Sequence, residues 1–178
     1  MKKVYNFLGL KALSFFIDNS YDEIHLREFS RRLKISVNSA QRFLEMLLSE
    51  NLIKENRKAN LRYFKANLDS IAFRHIKLAF FIKKIEDSRF LDLLQKKFSN
   101  VMLFGSTADG RDDNSSDIDL VCFGKERIDF SIFEKKLGRE INSHYFTLAE
   151  WKKQKEENKA FYQEVVSGIN LVGDVPVL

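Results

Sequence analysis

At 178 residues, 44% hydrophobic and 31% charged, the chain is ordinary globular material, enough for one large or two small domains, and wholesale disorder is excluded. No apolar run approaches the ~20 residues of a membrane span, the first residues lack the pattern of a secretory signal, and the single Cys122 has no internal disulfide partner. The expected setting is cytoplasmic, with no membrane partner. The net charge of +5 is uneven: residues 1–67 hold 13 basic against 7 acidic side chains, a net of +6, and residues 68–178 hold 17 against 18, a net of −1. An anionic partner is therefore expected for the N-terminal third.

In chain order, Leu8, Ala12, Phe15 and Phe16 recur at helical spacing, and Asp18-Asn19-Ser20 ends that helix. Leu26 to Leu33 predicts a second helix with Leu26, Phe29 and Leu33 inward. Lys34-Ile35-Ser36 predicts a tight turn, with Ser36 as N-cap of a third helix from Val37 to about Glu50. Its buried side is expected to carry Val37, Ala40, Phe43, Leu44, Leu47 and Leu48, leaving Asn38, Ser39, Gln41, Arg42 and Glu45 outward. Leu52–Lys54 and Leu61–Lys65 are strand candidates around a basic tip, Asn56 to Asn60.

Helix, helix, turn, helix and basic hairpin resemble a winged helix-turn-helix. The resemblance implies double-stranded DNA as partner, with the third helix in the major groove and the hairpin on the backbone or minor groove. Gln41 and Arg42 would then reach base edges, and Asn38 and Ser39 phosphate. Arg31, Arg32, Lys34, Arg57, Lys58 and Arg62 are further phosphate candidates. The alternatives are a merely solvated basic face, or a protein-interaction module.

Residues 68–87 predict a connecting helix, capped by Asn67 and apolar around most of its circumference. Burial between domains is one reason for that pattern, and a homodimer interface is another. Arg74, His75 and Lys77 are expected at the solvent side or between domains, and His75 has no metal-ligand spacing around it. Phe90 to Phe98 predicts a further helix, with Ser88 as its cap.

The chemistry is concentrated after that helix. An apolar strand, Val101 to Phe104, stops at Gly105-Ser106; a polar loop follows, and Ser116-Asp117 opens a second strand running to Phe123. Asp117 and Asp119 are spaced i, i+2, which puts two carboxylates on one strand face. Such a pair repels itself unless a cation lies between, and oxygen ligands suit Mg²⁺ or Mn²⁺. Gly105 admits close backbone approach, and Ser106 with the N–H groups of a short helix offers a phosphate cradle. The alternative is a strand with a polar surface pair and a glycine turn. Asp109, Asp112 and Asp113 are expected as solvated loop acids, and Arg111 as a phosphate contact or as partner to one of them.

Phe104-Gly105-Ser106-Thr107-Ala108-Asp109-Gly110 followed by Ser116-Asp117-Ile118-Asp119-Leu120 resembles the signature of the minimal, DNA polymerase β-like nucleotidyltransferases. The resemblance implies Mg²⁺ held by Asp117 and Asp119, which would be the catalytic pair, and an NTP held at Gly105 and Ser106. In that family a third metal-binding acid lies on the strand beside the acid pair. Here that strand, Arg139 to Phe146, carries Asn142 at the best register, with Glu140 two residues earlier as the substitute and His144 as a packed strand-end residue or a base. A helix from Phe130 ended by Gly138, helices after Leu148 with Trp151 inward, and a last strand, Ile169 to Val172, complete a small mixed sheet covered by helices.

The expected architecture is α+β: a winged helix over 1–67, a connecting helix over 68–87 and a nucleotidyltransferase-like domain over 88–178, a combination found in prokaryotic, notably archaeal, proteins. Three functions follow as expectations. The first is transfer of NMP from an NTP to an unknown acceptor. The second is DNA-binding regulation by a chain whose second domain is inactive or senses nucleotide. The third is a toxin–antitoxin component that modifies a partner protein.

Overall fold

The computed structural model describes residues 8–174. The chain divides into two compact units, Met1–Arg74 and His75–Leu178. No helix among the described residues is long and apolar enough to cross a membrane.

The N-terminal unit contains α1 (Leu8–Asp18), β1 (Ile24–His25), α2 (Leu26–Leu33), α3 (Val37–Ser49), β2 (Ile53–Lys58) and β3 (Leu61–Ala66). The three strands form a sheet in the order β1-β3-β2. Ala12 and Phe16 of α1, Phe29 of α2 and Ala40, Leu44 and Leu47 of α3 are buried with Ile53 and Phe64 of the sheet. The Leu8 side chain lies outside the described residues. Ser36 caps α3 by accepting from the Ser39 N–H at 3.1 Å. Four details differ from expectation. Val37 is exposed, because the first residue of α3 projects past the apolar stripe. The two-residue β1 pairs with β3 and carries no local pattern long enough to predict. The hairpin is longer and its tip smaller: Arg57↔Arg62 and Lys58↔Leu61 are paired, and the turn is Ala59-Asn60, both at positive φ. Two successive left-handed residues match the twist of the flanking strands. Asn56, Arg57 and Lys58 therefore lie on β2, not in the turn. Finally, Asn67 does not cap the next helix. Its side chain is buried and bonded to Asn51, and Ser70 accepts from the Phe73 N–H at 3.3 Å instead.

Helix α4 (Ile71–Ser88) begins in the first unit and ends in the second. The second unit continues with α5 (Phe90–Lys97), β4 (Asn100–Phe104), the single turn α6 (Gly105–Ala108), β5 (Ile118–Phe123), α7 (Ser131–Leu137), β6 (Ile141–Phe146), α8 (Leu148–Glu157), α9 (Lys159–Val166) and β7 (Ile169–Val172). Arg89 at φ 67° separates α5 from α4, and Ser88 accepts from the Phe90 N–H as expected. Gly138, at φ 72°, ends α7 in the left-handed conformation.

The sheet order is β6-β5-β4-β7, with β5 and β6 parallel and the other pairs antiparallel. It is covered on both faces. Val101, Leu103, Ile118, Leu120 and Cys122 pack on one side with Ile85, Phe90, Leu94, Phe130 and Leu137. Met102, Phe104, Val121 and Phe123 pack on the other with Trp151, Tyr162 and Val165. Strand alternation assigns Asp119 to this second face, at the end of the sheet where its apolar cover stops.

Candidate active site and candidate nucleic-acid interface

The apolar run of β4 ends because Gly105 turns the chain at φ 71°. Across from that turn, Asp119 is the Cα partner of Phe104 on one side and of Asn142 on the other. A methyl group on Gly105 would lie 2.7 Å from Asp119 Oδ2. Only a residue without Cβ lets the carboxylate approach the turn this closely. Ser106 is exposed beside it, Asp117 is exposed one residue before β5, and Asp119 is half-buried. Gly105, Ser106, Asp117 and Asp119 are thus brought to one edge of the sheet.

The strand beside the acids supplies an amide. Asn142 Nδ2 donates to Asp119 Oδ1 at 3.2 Å. Glu140 is exposed and precedes β6; its carbonyl accepts from the Ile118 N–H at 2.9 Å. His144 packs by its ring against Phe104 and Phe161 at 5.9 and 5.3 Å between centroids. Cys122 is buried on the opposite face, where desolvation pushes its thiol up to about 12, so it holds no thiolate at neutral pH.

The polar loop between turn and acids rests on an ion network that sequence reasoning missed. Asp112, expected in solvent, is buried. One of its oxygens meets Lys77 Nζ at 3.1 Å and the other Arg139 Nη1 at 2.8 Å, and all three side chains are at most 10% exposed. Arg139 also donates to the Asp117 carbonyl at 2.8 Å, to Thr107 Oγ1 at 2.5 Å and to the Ser116 carbonyl, and its guanidinium lies over the Phe81 ring. Thr107 Oγ1 in turn donates to the Asp117 carbonyl at 3.1 Å. One planar fork therefore joins the glycine turn, the loop and the first acid. Lys77, expected at the surface or between domains, carried a readable signal: Phe73, Lys77, Phe81 and Ile85 form a single i, i+4 stripe of α4. Arg139 carried none, because its partners lie far off in sequence. Asp113 remains a loop acid. Hydrogen bonds from Ser115 and Ser116 hold its carboxyl below the usual range. Asp109 pairs with Arg111 at the surface.

Among the described residues no group of three or more His, Cys, Asp or Glu side chains forms a metal cage. The Asp119 carboxylate against the glycine turn, with Asp117 one residue before the same strand, still fits Mg²⁺ carried in by a nucleotide, since that ion characteristically takes one or two carboxylates and completes its shell with phosphates and water. Mn²⁺ accepts the same oxygen donors.

In the N-terminal unit, Asn38, Gln41 and Arg42 are exposed on α3, and Ser39 is half-buried with its hydroxyl 2.9 Å from that of Ser36. Arg57 and Lys58 are exposed on β2, where Arg57 pairs with Glu55 at 3.3 Å and Lys58 with Glu23. Arg62 differs. It meets both Glu45 of α3 and Glu55 of β2 at 2.6 Å. The hydrogen bonds it donates to Glu55 and Glu45 raise its pKa further, and the one to Glu55 lowers the pKa of that carboxyl. Arg62 therefore acts as a clamp between helix and hairpin. Gln41, Arg62, Arg27 and Asn60 line a groove of about 490 Å³ beside that clamp.

Residues 87–169 match the family model described as a nucleotidyltransferase domain. The match covers the sheet from β4 to β6 together with the turn, both acids and Asn142. No curated protein and no solved structure matches the chain.

Proposed function

We propose that the chain transfers a nucleoside monophosphate from an NTP to an acceptor hydroxyl, and that its N-terminal unit binds double-stranded DNA. The observation that carries the first part is the fit of Gly105 against Asp119, with Asp117 beside them, inside a nucleotidyltransferase domain. In the transfer, the acceptor oxygen forms a bond to the α-phosphorus while the bond from that phosphorus to the bridging oxygen breaks, releasing pyrophosphate, and the hydroxyl proton passes to solvent. Asp117 and Asp119 would hold Mg²⁺, which would supply charge neutralisation at the phosphates. Gly105 and Ser106 receive the phosphate tail, and the Arg139 fork fixes the main chain of Asp117 relative to the turn.

The N-terminal reading is a winged helix-turn-helix. Supporting it are three helices followed by a hairpin, exposed Asn38, Gln41 and Arg42 on α3, and the local charge excess. Arg42 and Gln41 face base edges, while Asn38, Ser39, Arg57 and Lys58 face phosphates.

Asn142 favours a second reading, a DNA-binding regulator whose second unit binds nucleotide without turning it over. An amide donates to Asp119 where a third acid would add charge, and it cannot accept the proton of an attacking hydroxyl. One experiment separates the two. Full-length protein is incubated with each labelled NTP, Mg²⁺ and cell extract, beside Asp117→Asn/Asp119→Asn protein. The enzyme reading requires label on an extract component with wild type alone. Nucleotide binding without any labelled product supports the regulator, and no nucleotide binding overturns both.

A further inference from the structure

We infer that the half-buried rings of His144 and Phe161 form the platform for the nucleobase of the donor NTP; this rests on the reading of the acid edge as the NTP site. The sheet order supplies the direction. The glycine turn lies at the end of β4, Asp119 on β5 with Asp117 just before it, and Asn142 and His144 on β6, so turn, acids and ring follow one another across β4, β5 and β6. A triphosphate whose tail lies in the Gly105–Ser106 turn and whose α-phosphate meets Asp119 sends its nucleoside over β6.

What meets it there is aromatic. His144 follows Asn142 by two residues on the same face of β6, about 7 Å along the strand, roughly a sugar's span beyond the reacting phosphate. Phe161 of α9 stands edge-on to His144 at 5.3 Å and to Phe104 at 5.6 Å. Phe104, the strand partner of Asp119, is buried, whereas His144 and Phe161 are only partly covered. Phe104 thus links the acids to a ring pair that reaches the surface. Every base has a π-face, so such a pair accepts purines and pyrimidines, with the imidazole nitrogens available to a base edge.

Calorimetry on the full chain with Mg²⁺ tests this, using ATP and inorganic tripolyphosphate, which lacks sugar and base. Three variants are compared: Phe161→Leu, which keeps apolar volume; His144→Leu, which removes the ring; and His144→Phe, which restores a π-face. Wild type should bind ATP roughly ten-fold or more tighter than tripolyphosphate. Each leucine variant should lose about ten-fold for ATP with tripolyphosphate unchanged, and His144→Phe should recover most of that loss. Equal losses for both ligands would show a packing role and overturn the platform, as would unchanged ATP binding in both leucine variants. If wild type binds neither ligand, the acid-edge reading itself fails and the platform with it. If tripolyphosphate binds as tightly as ATP, the platform alone fails.

Discussion

Asn142 and Asp119 are Cα partners in the parallel β5–β6 pair, and the Asn142 amide donates to the Asp119 carboxylate at 3.2 Å. This bond relieves what a third acid would aggravate, namely repulsion among carboxylates at close quarters. The same bond turns a donor toward the place where a cation would sit. Asn142→Asp is nearly isosteric and adds one negative charge. It should raise Mg²⁺ affinity and any transfer activity together, by about 10²–10⁴-fold in rate where a missing base limits turnover. Calorimetry with Mg²⁺ and a labelled-NTP assay check both quantities. If wild type already transfers efficiently and Asn142→Asp changes neither, Glu140 or another acid is the third ligand, and Glu140→Gln is the variant that tests it.

Gly105→Ala tests the turn. At φ 71° a non-glycine residue costs about 1–2 kcal/mol, and its methyl group would press on Asp119 Oδ2 at 2.7 Å. The carboxylate or the turn must move, so NTP binding should fall at least about ten-fold, an effect of about 1.4 kcal/mol, while the domain stays folded. Wild-type NTP affinity in the alanine protein would remove Gly105 from the site.

Some of this was legible in sequence because local pattern and tertiary role coincide. An apolar run that stops at Gly105, and an acid pair whose intervening Ile118 is fully buried, each state their own environment. The pairing of Asn142 with Asp119 agrees with the register expected from the family resemblance. What was not legible depends on distant partners. Asp112 looks like its neighbours Asp109 and Asp113 until Lys77 and Arg139 arrive, 35 and 27 residues away. Arg62 looks like any basic hairpin residue until α3 brings Glu45 against it. The tip of the hairpin was misread for a different reason: Ala59 is an unusual occupant of a left-handed turn position, so the composition of Asn56 to Asn60 suggested a longer loop.

The hairpin also separates two kinds of basic residue. Arg57 and Lys58 are exposed, and their ion pairs with Glu55 and Glu23 lie at the surface, where such pairs contribute little and yield to phosphate. Replacing both with alanine should weaken binding to every duplex and flatten the slope of log K against log salt by about 2. Arg42→Ala should cost about 1–3 kcal/mol, mainly at one base position. Arg62→Ala should instead lower the stability of the N-terminal unit, since it leaves Glu45 and Glu55 without their shared cation. Mobility-shift titrations across salt, with urea melts alongside, check all three. Unchanged mobility of every duplex at low salt, with folded protein, would count against DNA binding.

The Lys77–Asp112–Arg139 network gives the clearest contrast between two acids of one loop. Asp112 carries both cations in a site from which water is largely excluded, so Asp112→Asn leaves two buried positive charges facing a neutral amide. Removing one member of a buried ion network typically costs about 3–5 kcal/mol. Asp109 pairs with Arg111 at the surface, 47% and 54% exposed, and Asp109→Asn should cost no more than about 1 kcal/mol. The chain's single tryptophan, Trp151, is fully buried in the C-terminal unit, so its fluorescence during urea unfolding reports on that unit directly. Asp112→Asn should shift the midpoint strongly downward and Asp109→Asn barely. Because Arg139 also holds the Asp117 carbonyl and Thr107, the Asp112→Asn protein should lose NTP affinity even where it is fully folded. Small and equal shifts for the two variants would mean that Asp112 is solvated after all and that the fork on Arg139 does not organise the acid edge.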